Sequence, residues 1–302
     1  MQKTLVVIGG PTASGKTAIA INLAKLFKSE IISADSRQFY KEMTIGTAKP
    51  SIKELQTVKH YFINNLSIHD YYNAWQYEQA VLSFLSIYYK QHDICFLVGG
   101  SGLYIDAVCK GLDDLPTITR EVRNHLLERY RRKGIDAIRF ELKQIDPEYY
   151  LKVDLKNPQR ILHALEIYYQ TGKKFSSLRK EKKQKRPFKI IKLILNPQRE
   201  ILYKRINTRV DTMIQNGLVK EAQSLYKYKH LPALQTVGYK ELFDFFDKKY
   251  DFEESIRLIK RNTRHYARRQ ISWFKRDKKN IMIDPETDKL IQIIESHKQS
   301  SD

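Results

Sequence analysis

Apolar positions along the chain follow two periods. Leu5, Val6, Val7 and Ile8 form an unbroken run, Thr4–Ile8, closed by Gly9-Gly10. That is the pattern of a strand buried on both faces of a parallel sheet. Thr17–Phe27 switches to helical spacing, with Ile19, Leu23 and Leu26 along one side. Glu30–Ser33 reads as a second, short strand, Ile94–Val98 before Gly99-Gly100 as a third, and Lys189–Leu195 as a fourth. Pro197 then opens a helix carrying Ile201, Leu202, Ile206, Val210 and Met213. Strands alternating with helices predict an α/β fold around a parallel sheet.

Between the third and fourth strands lie roughly 90 residues, far more than a crossover needs. Pro116–Tyr130, Ile135–Ile145 and Gln159–Tyr169 are helical by pattern, the last entered through Asn157-Pro158 and stopped at Thr171-Gly172. The expected organisation is a P-loop parallel-sheet core, 1–111 and 189–302, ending in basic helices and interrupted by a helical insertion domain at 112–188.

Charge adds a partner. Across 302 residues Lys plus Arg number 54 against 34 Asp plus Glu, a net charge of +20. The excess is not spread evenly: Lys156–Lys189 holds 11 basic and 2 acidic side chains, and Arg257–Lys279 holds 10 and 1. Two such stretches point to a polyanion, nucleic acid or an anionic surface. On a helix, Arg257, Arg261, Arg264, Arg268 and Lys275 fall on one line, with Ile259, Tyr266, Gln270 and Trp273 opposite, so the row should face outward and the second set should dock. Lys173–Arg186 reads as a polar, lysine-rich loop. The two cysteines lack paired spacing, and Cys95 sits in an apolar run, so neither a disulfide framework nor structural zinc is expected. No run is long and apolar enough for a membrane span. These features predict a cytoplasmic protein without membrane attachment.

The chemistry begins at Gly10-Pro11-Thr12-Ala13-Ser14-Gly15-Lys16-Thr17, an unbroken G-x-x-x-x-G-K-[ST] between a strand and a helix. Backbone N–H groups there form an anion cradle, Lys16 adds a point charge, and the Thr17 hydroxyl can hold Mg²⁺. A nucleotide hydrolase or kinase would carry an Asp at the end of an apolar strand for that metal. The third strand ends instead in Gly99-Gly100-Ser101-Gly102, and the nearest acid is Asp35, after the second strand in Asp35-Ser36-Arg37-Gln38. Asp35 has the chemistry of a metal ligand or of a base.

The chain resembles the bacterial tRNA dimethylallyltransferases (tRNA isopentenyltransferases) over nearly its whole length. The matching segments are the phosphate loop, Asp35–Gln38 with Tyr40, Ile45-Gly46-Thr47-Ala48-Lys49-Pro50, Val98–Tyr104, Asn157–Arg160, Val237-Gly238-Tyr239-Lys240, and Arg268-Arg269-Gln270 with Trp273-Phe274. The resemblance implies transfer of a dimethylallyl group from dimethylallyl diphosphate to N6 of the adenosine 3′-adjacent to the anticodon, in tRNAs reading codons that begin with U. The partner would be the tRNA anticodon stem-loop, the cofactor Mg²⁺, and the enzyme a monomer.

For the site, the resemblance implies Asp35 as the base, with Lys16, Ser101 and Arg209 (or Arg205) as the other catalytic groups. Gly10–Thr17 would hold the diphosphate. Contacts to tRNA would come from Asp35, Ser36, Arg37, Gln38, Ser101, Arg123, Gln159, Arg160, Ile161, Leu162, His163, Gly238 and Tyr239. The arginine row adds Arg261, Arg264 and Arg268. Ser101 stands where the family commonly has Thr, and His163 where it frequently has Arg. A free adenine nucleotide as acceptor leaves the basic tracts without a purpose. A P-loop kinase or RNA-stimulated NTPase would want the missing strand-end Asp, and an RNA-binding module with a relic phosphate loop is separated from the transferase by an activity assay.

Overall fold

The computed structural model describes residues 2–113, 115–179, 184–285 and 287–299. The chain divides into two compact units, 1–110 with 185–302, and 111–184.

The first unit is built on six parallel strands: β1 (Thr4–Gly9), β2 (Ile31–Ser33), β3 (His60–Tyr61), β4 (Ile94–Gly99), β5 (Lys189–Leu195) and β6 (Ile281–Ile283), in the order β3-β2-β4-β1-β5-β6. β1 lies between β4 and β5, with Gly9 opposite Gly99 and Ile194. Its apolar run is explained by burial on both faces. Leu5 and Val7 join Ile32, Phe39, Tyr77 and Leu97 on one side, while Val6 and Ile8 join Ile19, Leu23, Phe96 and Leu193 on the other. The α/β parallel sheet expected from the sequence is present, with two strands beyond the four expected. β3 and β6 have two and three residues, too few for any period to register. The helix expected from Pro197 spans Arg199–Gln215, since Gln198 is its N-cap. A third cluster, including Met43, Val210, Leu218, Tyr239, Leu242 and Ile259, packs the C-terminal helices together.

In the second unit the segment Arg120–Ile145 is helical on either side of Gly134, whose non-helical backbone at φ 76° separates the two helices expected there. It starts at Arg120 because the Thr119 hydroxyl caps it, accepting from the Val122 N–H. Pro158–Thr171 has Asn157 as N-cap and left-handed Gly172 as its stop, and Leu126, Ile138, Leu142, Ile161 and Leu165 form the core. The chain re-enters the first unit at Lys185, four residues before the expected 189. Arg186 explains the difference: its buried guanidinium pairs with Glu78 at 2.6 Å and donates to the Val108 and Ala107 carbonyls. Of the basic loop Lys173–Arg186, residues 180–183 lie outside the described residues. Among the described residues no helix is long and apolar enough to cross a membrane.

Candidate active site

The carboxyl ends of β1, β4 and β2 stand side by side in the first unit, and each strand delivers one loop. After β1 the chain passes through left-handed Ala13 and Gly15 (φ 63° and 90°) into the helix Lys16–Leu26. After β2 comes Asp35–Gln38, and after β4 comes Gly99–Ser101. A cavity of about 680 Å³ is lined by Thr12–Thr17, Asp35–Gln38, Gly46–Ala48, Arg209, Tyr266 and Gln270, among others.

Two cations meet there. The Lys16 ammonium donates to the Pro11 carbonyl at 2.7 Å. Burial, reinforced by Arg209 and opposed by Asp35, pulls its pKa from 10.5 down to about 7. Arg209 is likewise lowered by burial, and donates to the Thr12 hydroxyl at 3.4 Å. Among the described residues neither has a carboxylate within ion-pair distance. Arg205 also approaches the loop, 3.9 Å from where a Cβ on Gly15 would stand.

The acid is held by its own turn. Asp35 Oδ1 accepts the Arg37 N–H at 3.0 Å, and Oδ2 has no hydrogen bond among the described residues. Ser101 does not line the cavity. It is buried behind the turn, where its Oγ accepts the Ser36 N–H at 3.0 Å and pairs with the Ser36 hydroxyl at 3.2 Å. Gln38 lines the cavity with its amide committed. Its Oε1 accepts from Ser33 Oγ, and its Nε2 donates to the Thr47 and Ala48 carbonyls. Burial, with Asp35 nearby, pushes the pKa of the Tyr266 phenol up to about 12.

Several expected RNA contacts have other duties. Tyr239 is fully buried, its ring against Gly46 and its hydroxyl donating to Glu221 at 2.6 Å. It is a core residue, while its neighbour Gly238 does line the cavity. Ile161 and Leu162 belong to the core of the second unit, because a contiguous helical segment turns part of itself inward. Gln159 and Arg160 are exposed on that helix. Glu166 lies 3.3 Å from Arg123 and 3.5 Å from His163.

On the helix Phe252–Phe274, Arg261 and Arg268 face outward. Arg264 is half-buried, donating to Asn207 at 2.7 Å and lying over the Tyr203 ring, and Arg257 is engaged by Glu254. The expected outward row is therefore broken at Arg264, while Arg257 keeps its outward place. The docking side does more than dock, since Tyr266 and Gln270 reach the cavity. Glu221 went unnoticed in the sequence: its carboxylate accepts from the N–H groups of Thr44, Ile45 and Gly46 at 2.8–3.0 Å. No spacing marks it, since the groups it gathers lie 175–177 residues earlier.

Residues 38–277 match the model of a family described as IPP transferase. The chain is 50% identical over 286 residues to tRNA dimethylallyltransferase 1 of Phocaeicola vulgatus, covering 95% of each chain. The full-length tRNA isopentenylpyrophosphate transferase of Bacillus halodurans has a similar structure, with TM-score 0.71 and 32% identity over 99% of this chain and 96% of that one. A eukaryotic dimethylallyltransferase, crystallised in snapshots of its action on tRNA, gives TM-score 0.78 at 28% identity, over 94% and 74%.

Proposed function

The chain belongs to the IPP transferase family, and we propose that it transfers a dimethylallyl group from dimethylallyl diphosphate to N6 of an adenosine in tRNA. The target is the base 3′-adjacent to the anticodon in tRNAs reading codons that begin with U. The observation that carries this reading is the pair of half-buried cations beside the phosphate loop, Lys16 and Arg209, which among the described residues have no carboxylate within ion-pair distance. A charge drawn partly out of water favours a counter-charge, and a diphosphate supplies it for both.

The adenine amine is a weak nucleophile, its lone pair delocalised into the ring. As that lone pair forms the bond to the first allylic carbon, the carbon–oxygen bond breaks and its electrons leave on the diphosphate. Lys16, Arg209 and the loop stabilise that developing charge. Asp35 takes the amine proton on Oδ2. Ser101 keeps the Asp35–Ser36 turn in position through the Ser36 N–H.

The Thr17 hydroxyl and the Asp35 carboxylate line the same cavity, and oxygen donors of this kind suit Mg²⁺, which keeps several waters and takes one or two protein ligands. Bound through Thr17 and the substrate's phosphate oxygens, the ion would add positive charge at the leaving group. To reach an interior cavity the adenosine leaves its stack, and the exposed Arg261 and Arg268 suit the phosphates around it. In the second unit, exposed Gln159 and Arg160, with Arg123 and His163, are proposed to touch the tRNA. The reading places the protein in the cytoplasm as a monomer.

The test is transfer of labelled dimethylallyl diphosphate into unmodified tRNA with Mg²⁺ present. Asp35→Asn should lose at least ~10²-fold in turnover while still binding tRNA. Undiminished turnover would remove Asp35 as the base, and unlabelled tRNA with the wild-type protein would refute the reading.

A further inference from the structure

We propose that Gln270 is a positioning residue for the transfer, its side-chain amide setting the distance between the phosphate loop after β1 and the Gly100–Ser101 turn after β4. The assignment rests on the prenyl-transfer reading. β1 and β4 are neighbours in register up to Gly9 and Gly99, and beyond that pair each chain continues into its own loop. Gln270 bridges the two loops. Its Oε1 accepts the Thr12 N–H at 2.8 Å, and its Nε2 donates to the Gly100 carbonyl at 2.9 Å. The side chain is buried, and a Cβ on Gly100 would stand 2.2 Å from Nε2, so the turn approaches as closely as glycine permits.

Each end of the bridge touches one half of the reaction. Thr12 carries the hydroxyl that Arg209 holds, on the leaving-group side. Gly100 precedes Ser101, which fixes the Ser36 N–H beside the base. The same helix holds the site on either side of the bridge: one turn earlier Tyr266 lines the cavity, and one turn later the Trp273 indole donates to Asp106 at 2.9 Å. An amide fits because it presents one acceptor and one donor in a single plane. A carboxylate presents only acceptors until it is protonated, and that difference makes the role measurable.

Gln270→Glu and Gln270→Met are compared with wild type in the full-length protein, measuring kcat, KM for both substrates and melting temperature from pH 6 to 8.5. Ionised, the new carboxylate accepts from Thr12 but opposes the Gly100 oxygen. Protonated, it restores both bonds, and burial raises the pH at which that happens. The expected result for Gln270→Glu, relative to wild type at each pH, is a kcat ~10²-fold low at pH 8.5, the cost of about 1 Å of misplacement. At least ~10-fold of that should return by pH 6, with KM for tRNA unchanged. Gln270→Met should stay low throughout. A Gln270→Glu deficit that is the same at both pH values would overturn the assignment. So would a Gln270→Met protein with wild-type kcat and only a lower melting temperature. Wild-type transfer in the same assay separates the two ideas: its absence overturns the parent reading and this assignment with it.

Discussion

Replacing Lys16 by Met should abolish turnover and yet make the protein more stable near neutral pH. Burial holds the ammonium at a pKa of about 7, against 10.5 for an ordinary lysine. At ~1.4 kcal/mol per unit, keeping it charged costs the folded state up to ~5 kcal/mol. Two effects reduce that figure. Lys16 is only half-buried as a residue, so solvent screens part of the cost, and its bond to the Pro11 carbonyl returns ~1 kcal/mol. The expected net gain for Lys16→Met is therefore ~2–3 kcal/mol at pH 7. The sign of its pH dependence is fixed by linkage. A lysine with its folded pKa below its unfolded one carries its full penalty below about pH 7, and the penalty fades as pH rises toward 10.5. The advantage of the variant should shrink by more than ~1 kcal/mol between pH 7 and 9. Both tryptophans, Trp75 and Trp273, lie in the first unit, so urea unfolding followed by their fluorescence reports on the relevant core. A stability difference that does not move with pH, or a variant less stable than wild type throughout, would refute the reasoning.

Two further expectations follow from the same geometry. Glu221→Gln turns one end of a four-bond acceptor into a donor facing donors, so the first unit should lose ~2–3 kcal/mol by urea unfolding, and Tyr239→Phe ~1 kcal/mol; unchanged unfolding would deny Glu221 its role in seating the Gly46–Ala48 loop. Replacing Arg261 and Arg268 by Ala should flatten the salt dependence of tRNA binding by about 0.7 per lost contact, whereas Arg264→Ala should mainly cost stability through Asn207; an unaltered slope for the double variant would mean that the outward arginines do not meet phosphates.

What the sequence made legible was local. Lys16 and Asp35 sit within a few residues of the strands that carry them, so a motif and a short apolar run were enough to find both. Gln270 was recognised as inward-facing, but helical spacing says which side packs and not what it meets, and the Thr12 amide is 258 residues away. Tyr239 illustrates the opposite error. A tyrosine after Gly238 is equally good chemistry for stacking on a base and for filling a core, and only the ring lying on Gly46 decides for the core. Ile161 and Leu162 were carried along by a contiguous segment, whereas a helix alternates its faces every few residues. Expected and observed differ most where a residue's function depends on a partner distant in the chain.

Under the proposed transfer, the strand order explains how a base and a leaving-group site share one cavity without neutralising each other. β1 carries the phosphate loop and β2 carries Asp35, with β4 between them. Two strand spacings of about 4.8 Å put the two loops ~10 Å apart at their roots. An in-line transfer needs about that much room: ~3 Å from carboxylate to amine and ~3 Å from amine to carbon, with the breaking bond and the phosphorus filling the rest. If the two loops left adjacent strands, Asp35 would pair with Lys16 directly and the acid would be spent as a counter-ion. With β4 between them, Asp35 instead influences Lys16 and Arg209 from beyond ion-pair distance, favouring their charge only in part. Under the proposed transfer, the remaining positive charge serves the diphosphate. The middle strand ends in Gly99 and Gly100 because its neighbours press against it: a Cβ on Gly99 would stand 2.1 Å from the Ala34 carbonyl oxygen, and one on Gly100 2.2 Å from Gln270 Nε2.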